Sequence, residues 1–180
     1  MNFVQPIRDL AKLQEMKLYL KSKSTRNYIL FILGISTGLR ISDILKLKKE
    51  DLLNTHVTLR ETKTRKQKRI RIPPSIRTEI LEYAKELTDG DYVIQSRQGI
   101  NRAIDRSTAY RILREAAKQV NLNEIGTHTL RKTFGYHFYQ QTKDVAMLQE
   151  MFNHSSPQIT LRYIGINQDS MDKAMMKFKI

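Results

Sequence analysis

Residues 25–37 read TRNYILFILGIST, and from Tyr28 to Ile35 the stretch is apolar on nearly every side of a helix. A helix of that kind has no polar face to give to water, so other elements must enclose it. The run at 28–35 is also far too short for the ~20 residues that a bilayer crossing needs. The enclosure therefore has to be protein. This predicts a central buried helix, closed at its C-terminus by Gly38.

The flanking segments read as the enclosure. Ile7, Leu10, Leu13 and Leu20 recur at helical spacing and predict a helix over 7–20. Ser42 is placed to cap a short helix reaching Leu47. His56–Thr62 has strand character, and a turn at 65–67 leads to a second strand, Arg69–Ile72. Pro73 and Pro74 stop that strand, and Pro74 suits the first turn of a helix over 75–87. The segment YVIQ, 92–95, reads as a third strand. Helices are predicted from Ser107 to Val120, after Thr127, over 145–152 behind Asp144, and over 156–163 with Pro157 in its first turn. The tail, 166–180, carries Met171, Ala174, Met175 and Phe178 at helical spacing. The expected fold is α+β and mostly α-helical: one domain, 1–180, with a small antiparallel three-stranded sheet.

Charge narrows the partners. Lys and Arg number 32 against 18 acids, a formal net charge of +14. So large an excess repels itself in the compact state unless an anion binds, which points to nucleic acid first and an acidic membrane surface second. The stretch RETKTRKQKRIR, 60–71, holds seven of the cations and one acid, Glu61. Because it alternates with β-formers, it reads as an ordered basic hairpin. The chain has no cysteine, which excludes disulfides and thiolate metal sites and fits a reducing cytoplasm. The first 16 residues are amphipathic and charged, unlike a signal peptide. Neither HExxH nor a Gly-rich phosphate loop is present. Chemistry on this chain has to run on cations, imidazole and a side-chain nucleophile.

Candidates for that chemistry each have an ordinary structural use as well. His128 and Arg131, an i, i+3 pair in the first turn of a helix, can share an anion with the free backbone N–H groups there; they can equally be a cap and a surface cation. Arg40, with Asp43 three residues on, can be a bidentate phosphate ligand or a structural pair at a helix junction. Lys63 ends the first strand of the hairpin and can reach a DNA groove or sit on a solvated ribbon. His154 and Tyr163 flank the 156–163 helix, where a capping imidazole and a core aromatic are also at home.

Taken in order, however, TGLRISD, ETKTRKQKRI, HTLRKTFG, FNHSS and ITLRYIG resemble the successive motifs of the tyrosine recombinase (phage integrase) catalytic domain. The resemblance covers roughly residues 5–165. It implies Tyr163 as nucleophile, Arg40, Arg131, His128 and His154 around a scissile phosphate, and Lys63 as acid to the leaving 5′ hydroxyl; Asp43 supports Arg40 by its position three residues on. It implies double-stranded DNA as partner, an oligomer (a tetramer) on DNA that is a monomer or weak oligomer when free, no metal, no cofactor, no membrane, and a cytoplasmic protein, bacterial or phage-encoded. In such proteins the tail after the nucleophile often packs on a neighbouring subunit; packing in cis is the equal alternative here. Position and charge add Lys66, Lys68, Arg69, Arg106 and Arg111 as phosphate contacts. Two departures stand out: no separate N-terminal DNA-gripping domain is recognisable, and Asn153 replaces the usual Gly before the second His, a residue that still tolerates a left-handed backbone. Left open at this point are a non-catalytic DNA-binding regulator, a type IB topoisomerase-like nicking and closing activity, and a fragment of a longer integrase.

Overall fold

The computed structural model describes residues 4–179 apart from 62–65, 124 and 127. Among the described residues, ten helices and two strands follow in order: α1 Leu10–Lys23, α2 Thr25–Thr37, α3 Ile41–Ile44, α4 Lys49–Leu53, β1 His56–Arg60, β2 Gln67–Arg71, α5 Pro74–Lys85, α6 Arg106–Gln119, α7 Thr129–Thr142, α8 Val145–Phe152, α9 Pro157–Tyr163 and α10 Ile166–Lys177. Helix α2 is the axle. Ser24 caps it by accepting from the Asn27 N–H, and Gly38 ends it at φ 64°. Ile29, Leu30, Phe31, Ile32 and Leu33 are fully buried, each stabilising the fold by roughly 1.5–3 kcal/mol relative to exposure. Helices α1, α5 and α7 pack around it.

Strands β1 and β2 form an antiparallel hairpin with Thr58 opposite Arg69 and Leu59 opposite Lys68. Along β2 burial alternates: Lys68 and Ile70 face in, while Gln67, Arg69 and Arg71 face out. The expected third strand at 92–95 is absent; among the described residues the sheet has two strands. Residues 92–95 make only single bridges, Lys48 to Tyr92 and Gln95 to Ala103. Val93 and Ile94 are both fully buried, so the segment lacks a solvent side and crosses the core as a short tie between two loops.

Smaller expectations shift too. The cap of α3 is Arg40, with no side-chain cap bond, and Ser42 lies inside that helix. Asp105, not Ser107, caps α6 by accepting from the Thr108 N–H. Leu10, assigned above to the apolar stripe of α1, is 69% exposed, and Met16 takes its place in the core. Pro74, Asp144 and Ser156 start α5, α8 and α9 as their sequences suggest. Thr127 lies outside the described residues.

A second, smaller apolar cluster of Leu148, Phe152 and Ile164 joins α7, α8 and α9, with Phe134 and Tyr163 packed against it. Helix α10 rests against α9 of its own chain. Its first turn is tied to the N-terminal segment by an Arg8–Asp169 ion pair at 2.7 Å. It contributes no buried residue. No described helix is long and apolar enough to cross a membrane.

Candidate active site

Two glycines set the geometry. Gly38, at φ 64°, turns the chain out of α2 and presents Arg40 at the start of α3; a Cβ there would meet the Phe134 ring at 2.4 Å. Gly135 on α7 lets α8 and α9 approach, since a Cβ would lie 2.6 Å from Ile164 and 2.9 Å from the Phe152 ring. Through these approaches the end of α2, the start of α7, the C-terminus of α8 and the end of α9 meet.

Arg131, 3% exposed, is the hub. Its Nη1 donates to the Gly38 carbonyl at 2.5 Å and its Nη2 to the Phe152 carbonyl at 3.0 Å. The guanidinium stacks 4.0 Å from the centre of the Phe152 ring. Burial lowers its pKa to about 10, and repulsion from Arg40 adds to the shift. The two arginines therefore share one electrostatic site.

Glu61, fully buried at the end of the hairpin's first strand, supplies the countercharge. Its Oε1 lies 2.6 Å from Arg40 Nη1 and accepts from Lys68 Nζ at 3.2 Å. Its Oε2 accepts from Asn153 Nδ2 at 3.0 Å. Asn153 holds the left-handed conformation expected of it, φ 54°, at the end of α8. Asp43, 1% exposed, stands farther from Arg40, with Oδ2 at 4.0 Å from Nη1. Lys68 also donates to the Met151 carbonyl. The negative C-terminal end of α8 thus holds two cations, Lys68 on Met151 and Arg131 on Phe152.

Tyr163 closes α9 and points its hydroxyl into this site. His128 Nδ1 is 3.2 Å from the phenol oxygen. The rings of His154 and Tyr163 meet edge-on with centroids 5.1 Å apart, and His154 Nδ1 is tethered to Thr160 Oγ1 at 3.0 Å. Lys132 Nζ sits over the phenol ring, 5.2 Å from its centre. Burial raises the Tyr163 pKa above its ordinary value; Arg131 and Arg40 pull the other way without overcoming it. Its raised pKa favours the protonated phenol, which lies within hydrogen-bond distance of His128.

Of the residues singled out in the sequence, Arg40, Asp43, His128, Arg131, His154 and Tyr163 are brought together. Lys63 lies outside the described residues. Lys68, expected as a phosphate contact, is buried against Glu61 because it occupies an inward position of β2; burial first, then Arg131, lowers its pKa. Lys66 and Arg69 are exposed on the hairpin, and Arg106 and Arg111 on α6, away from the core. Glu61 and Phe152 were not recognised as site residues. The signal for Glu61 was its isolation as the one acid of residues 60–71.

The family model for the phage integrase family matches residues 7–169. The chain belongs to the phage integrase family. It is a tyrosine recombinase catalytic domain, 54% identical over 179 residues to the probable integrase/recombinase YoeC of Bacillus subtilis (strain 168), covering 99% of this chain and 98% of that one. It is also 29% identical over 154 residues to tyrosine recombinase XerA of Pyrococcus furiosus, covering 83% of this chain and 54% of XerA. Among solved structures, this integrase-family domain superposes on a XerA recombinase with a TM-score of 0.76 at 19% identity, covering 100% of this chain and 66% of that one. It matches a lambda integrase tetramer bound to a Holliday junction with a TM-score of 0.71 at 18% identity, covering 91% and 49%. At such identities the structural likeness is one of fold. The chain spans about half to two thirds of XerA and lambda integrase.

Proposed function

We propose that this chain is a site-specific DNA recombinase that cleaves and rejoins strands through a 3′-phosphotyrosine at Tyr163, without metal or ATP. The observation that carries the reading is the phenol oxygen 3.2 Å from His128 Nδ1, inside the electrostatic field of Arg131 and Arg40. Attack by Tyr163 on a backbone phosphorus adds negative charge to the non-bridging oxygens. Arg40, paired with Glu61, and Arg131, bound to two backbone carbonyls, donate charge-assisted hydrogen bonds to those oxygens. His128 takes the phenol proton as the P–O bond forms. His154, held edge-on to the nucleophile, adds a donor to the phosphate. The bond from phosphorus to the 5′ oxygen breaks, and Lys63 gives that oxygen its proton. One phosphodiester is exchanged for another, so a second 5′ hydroxyl can attack and release the tyrosine with no outside energy source.

The exposed hairpin cations Lys66 and Arg69, with Arg106 and Arg111, contact phosphates. The assembly on DNA is a tetramer, formed from free monomers or weak oligomers, and the site of action is the cytoplasm of a bacterial or phage-infected cell. The whole chain acts as one catalytic domain.

Incubation with nicked duplexes whose arms are randomised tests this reading, because cleavage next to a nick loses the short 5′ product and traps the intermediate. The expected result is a protein–DNA adduct that survives a denaturing gel and is lost with Tyr163→Phe. An adduct that persists in that variant overturns the assignment of the nucleophile; no adduct at all from the wild type favours a DNA-binding regulator.

A further inference from the structure

Three cations, Arg40, Arg131 and Lys68, crowd a site with little access to water; Arg40 opposes the charge of both others, and Arg131 that of Lys68. Such a cluster spreads apart unless something anionic sits among them. The Glu61 carboxylate is such an anion, paired with Arg40 and Lys68. We infer that Glu61, resting on the recombinase reading above, is a positioning residue for cleavage: its buried carboxylate locks the Arg40 guanidinium in place and couples it to the basic hairpin and to α8.

The contacts support a lock and not a general structural filler. Glu61 follows β1 directly, and its backbone N–H donates to the Lys66 carbonyl at 3.0 Å, which closes the hairpin. One carboxylate oxygen holds Arg40 from α3 and Lys68 from β2; the other holds Asn153 from the end of α8. Arg131 is fixed independently, by two backbone carbonyls. The two arginines are thus held by different means. Arg131 answers to the backbone, whereas the closest anion holding Arg40 is an ionised side chain. Arg40 is therefore the one whose placement a single side-chain change can loosen. Because Glu61 is itself an anion beside a phosphate site, it also opposes DNA. Removing its charge weakens catalysis while leaving attraction to phosphate intact or stronger, a split that no ordinary packing residue produces.

The test compares Glu61→Gln, Glu61→Asp and Asn153→Gly with the wild type, on one nicked duplex chosen from the randomised pool by covalent capture. Two quantities are measured: DNA affinity, and the single-turnover rate of adduct formation with DNA saturating. Glu61→Gln is expected to lower the rate on the order of 10²-fold, the loss that a misplacement of about 1 Å can bring, with affinity unchanged or tighter. Glu61→Asp, which keeps the charge, recovers part of that rate. Asn153→Gly accepts the left-handed backbone and removes only the bond that orients Glu61, so it folds even if Glu61→Gln does not; it shows a smaller drop in rate at unchanged affinity. Wild-type rates in all the variants that fold overturn the inference and leave the recombinase reading standing. Parallel loss of affinity and rate also overturns it, in favour of a packing role. If the wild type forms no adduct, both fall together.

Discussion

His128 and Tyr163, 35 residues apart in the chain, place an imidazole nitrogen and a phenol oxygen 3.2 Å apart within one molecule. The proposed nucleophile therefore sits beside an imidazole of its own chain. Its neighbours decide in which protonation state it waits.

Burial holds the Tyr163 phenol above its ordinary pKa of 10.0. An acid whose pKa rises on folding stabilises the native state fully below its unfolded pKa, and that contribution fades as pH climbs through the folded value. The wild type is thus expected to lose stability relative to Tyr163→Phe as pH rises above about 10. Urea titrations of both proteins across that range check the sign. A constant difference would mean that the phenol is not shifted.

Arg131 and Arg40 should fail differently. Arg131→Ala removes two hydrogen bonds from a buried cation and strands the Gly38 and Phe152 carbonyls. It is expected to cost about 2–4 kcal/mol of stability, measured by urea denaturation, as well as cleavage. Arg40→Ala should lower single-turnover cleavage by about 10²–10³-fold, the usual loss for one donor to a developing anion, with the smaller change in stability.

Salt dependence separates the hairpin's inner and outer cations. Arg69→Ala should reduce the slope of log affinity against log salt by about 0.9, the value for one phosphate contact. Lys68→Met, whose ammonium is spent on Glu61 and the Met151 carbonyl, should leave the slope unchanged. Binding titrations on one duplex at several salt concentrations decide it, and equal slope changes would place Lys68 on DNA after all.

Gly135→Ala forces a methyl against Ile164 and the Phe152 ring. Overpacking of this kind costs about 1–3 kcal/mol. Because Ile164 adjoins Tyr163, the proposed nucleophile, the variant should also slow adduct formation; a shift in the urea midpoint with a wild-type rate would show that α9 absorbs the strain without moving Tyr163.

Much of this was legible in the residues because local chemistry and tertiary demand agreed. The run 28–35, apolar nearly all round, demands a buried helix; Gly38, Asp144, Ser156 and Pro157 are punctuation that works over a few residues; and Asn153 takes the left-handed turn that its side chain tolerates. The misses lie where a neighbour distant in sequence decides. Residues 92–95 have strand composition, but each end finds only a single bridge. Lys68 looks like one more hairpin cation until the register of β2 turns it inward. Glu61 is ordinary in one dimension and central in three, since its partners come from α3, β2 and the end of α8.

The proposed chemistry turns on one atom, the Tyr163 hydroxyl oxygen. Trapping the adduct on a nicked duplex, digesting the protein and sequencing the nucleotide-bearing peptide by mass spectrometry reads it directly. The expected result is a single modified peptide with the DNA 3′-phosphate on Tyr163. A phosphate on the nearby Tyr136 or Tyr139, or on any residue other than Tyr163, would contradict it.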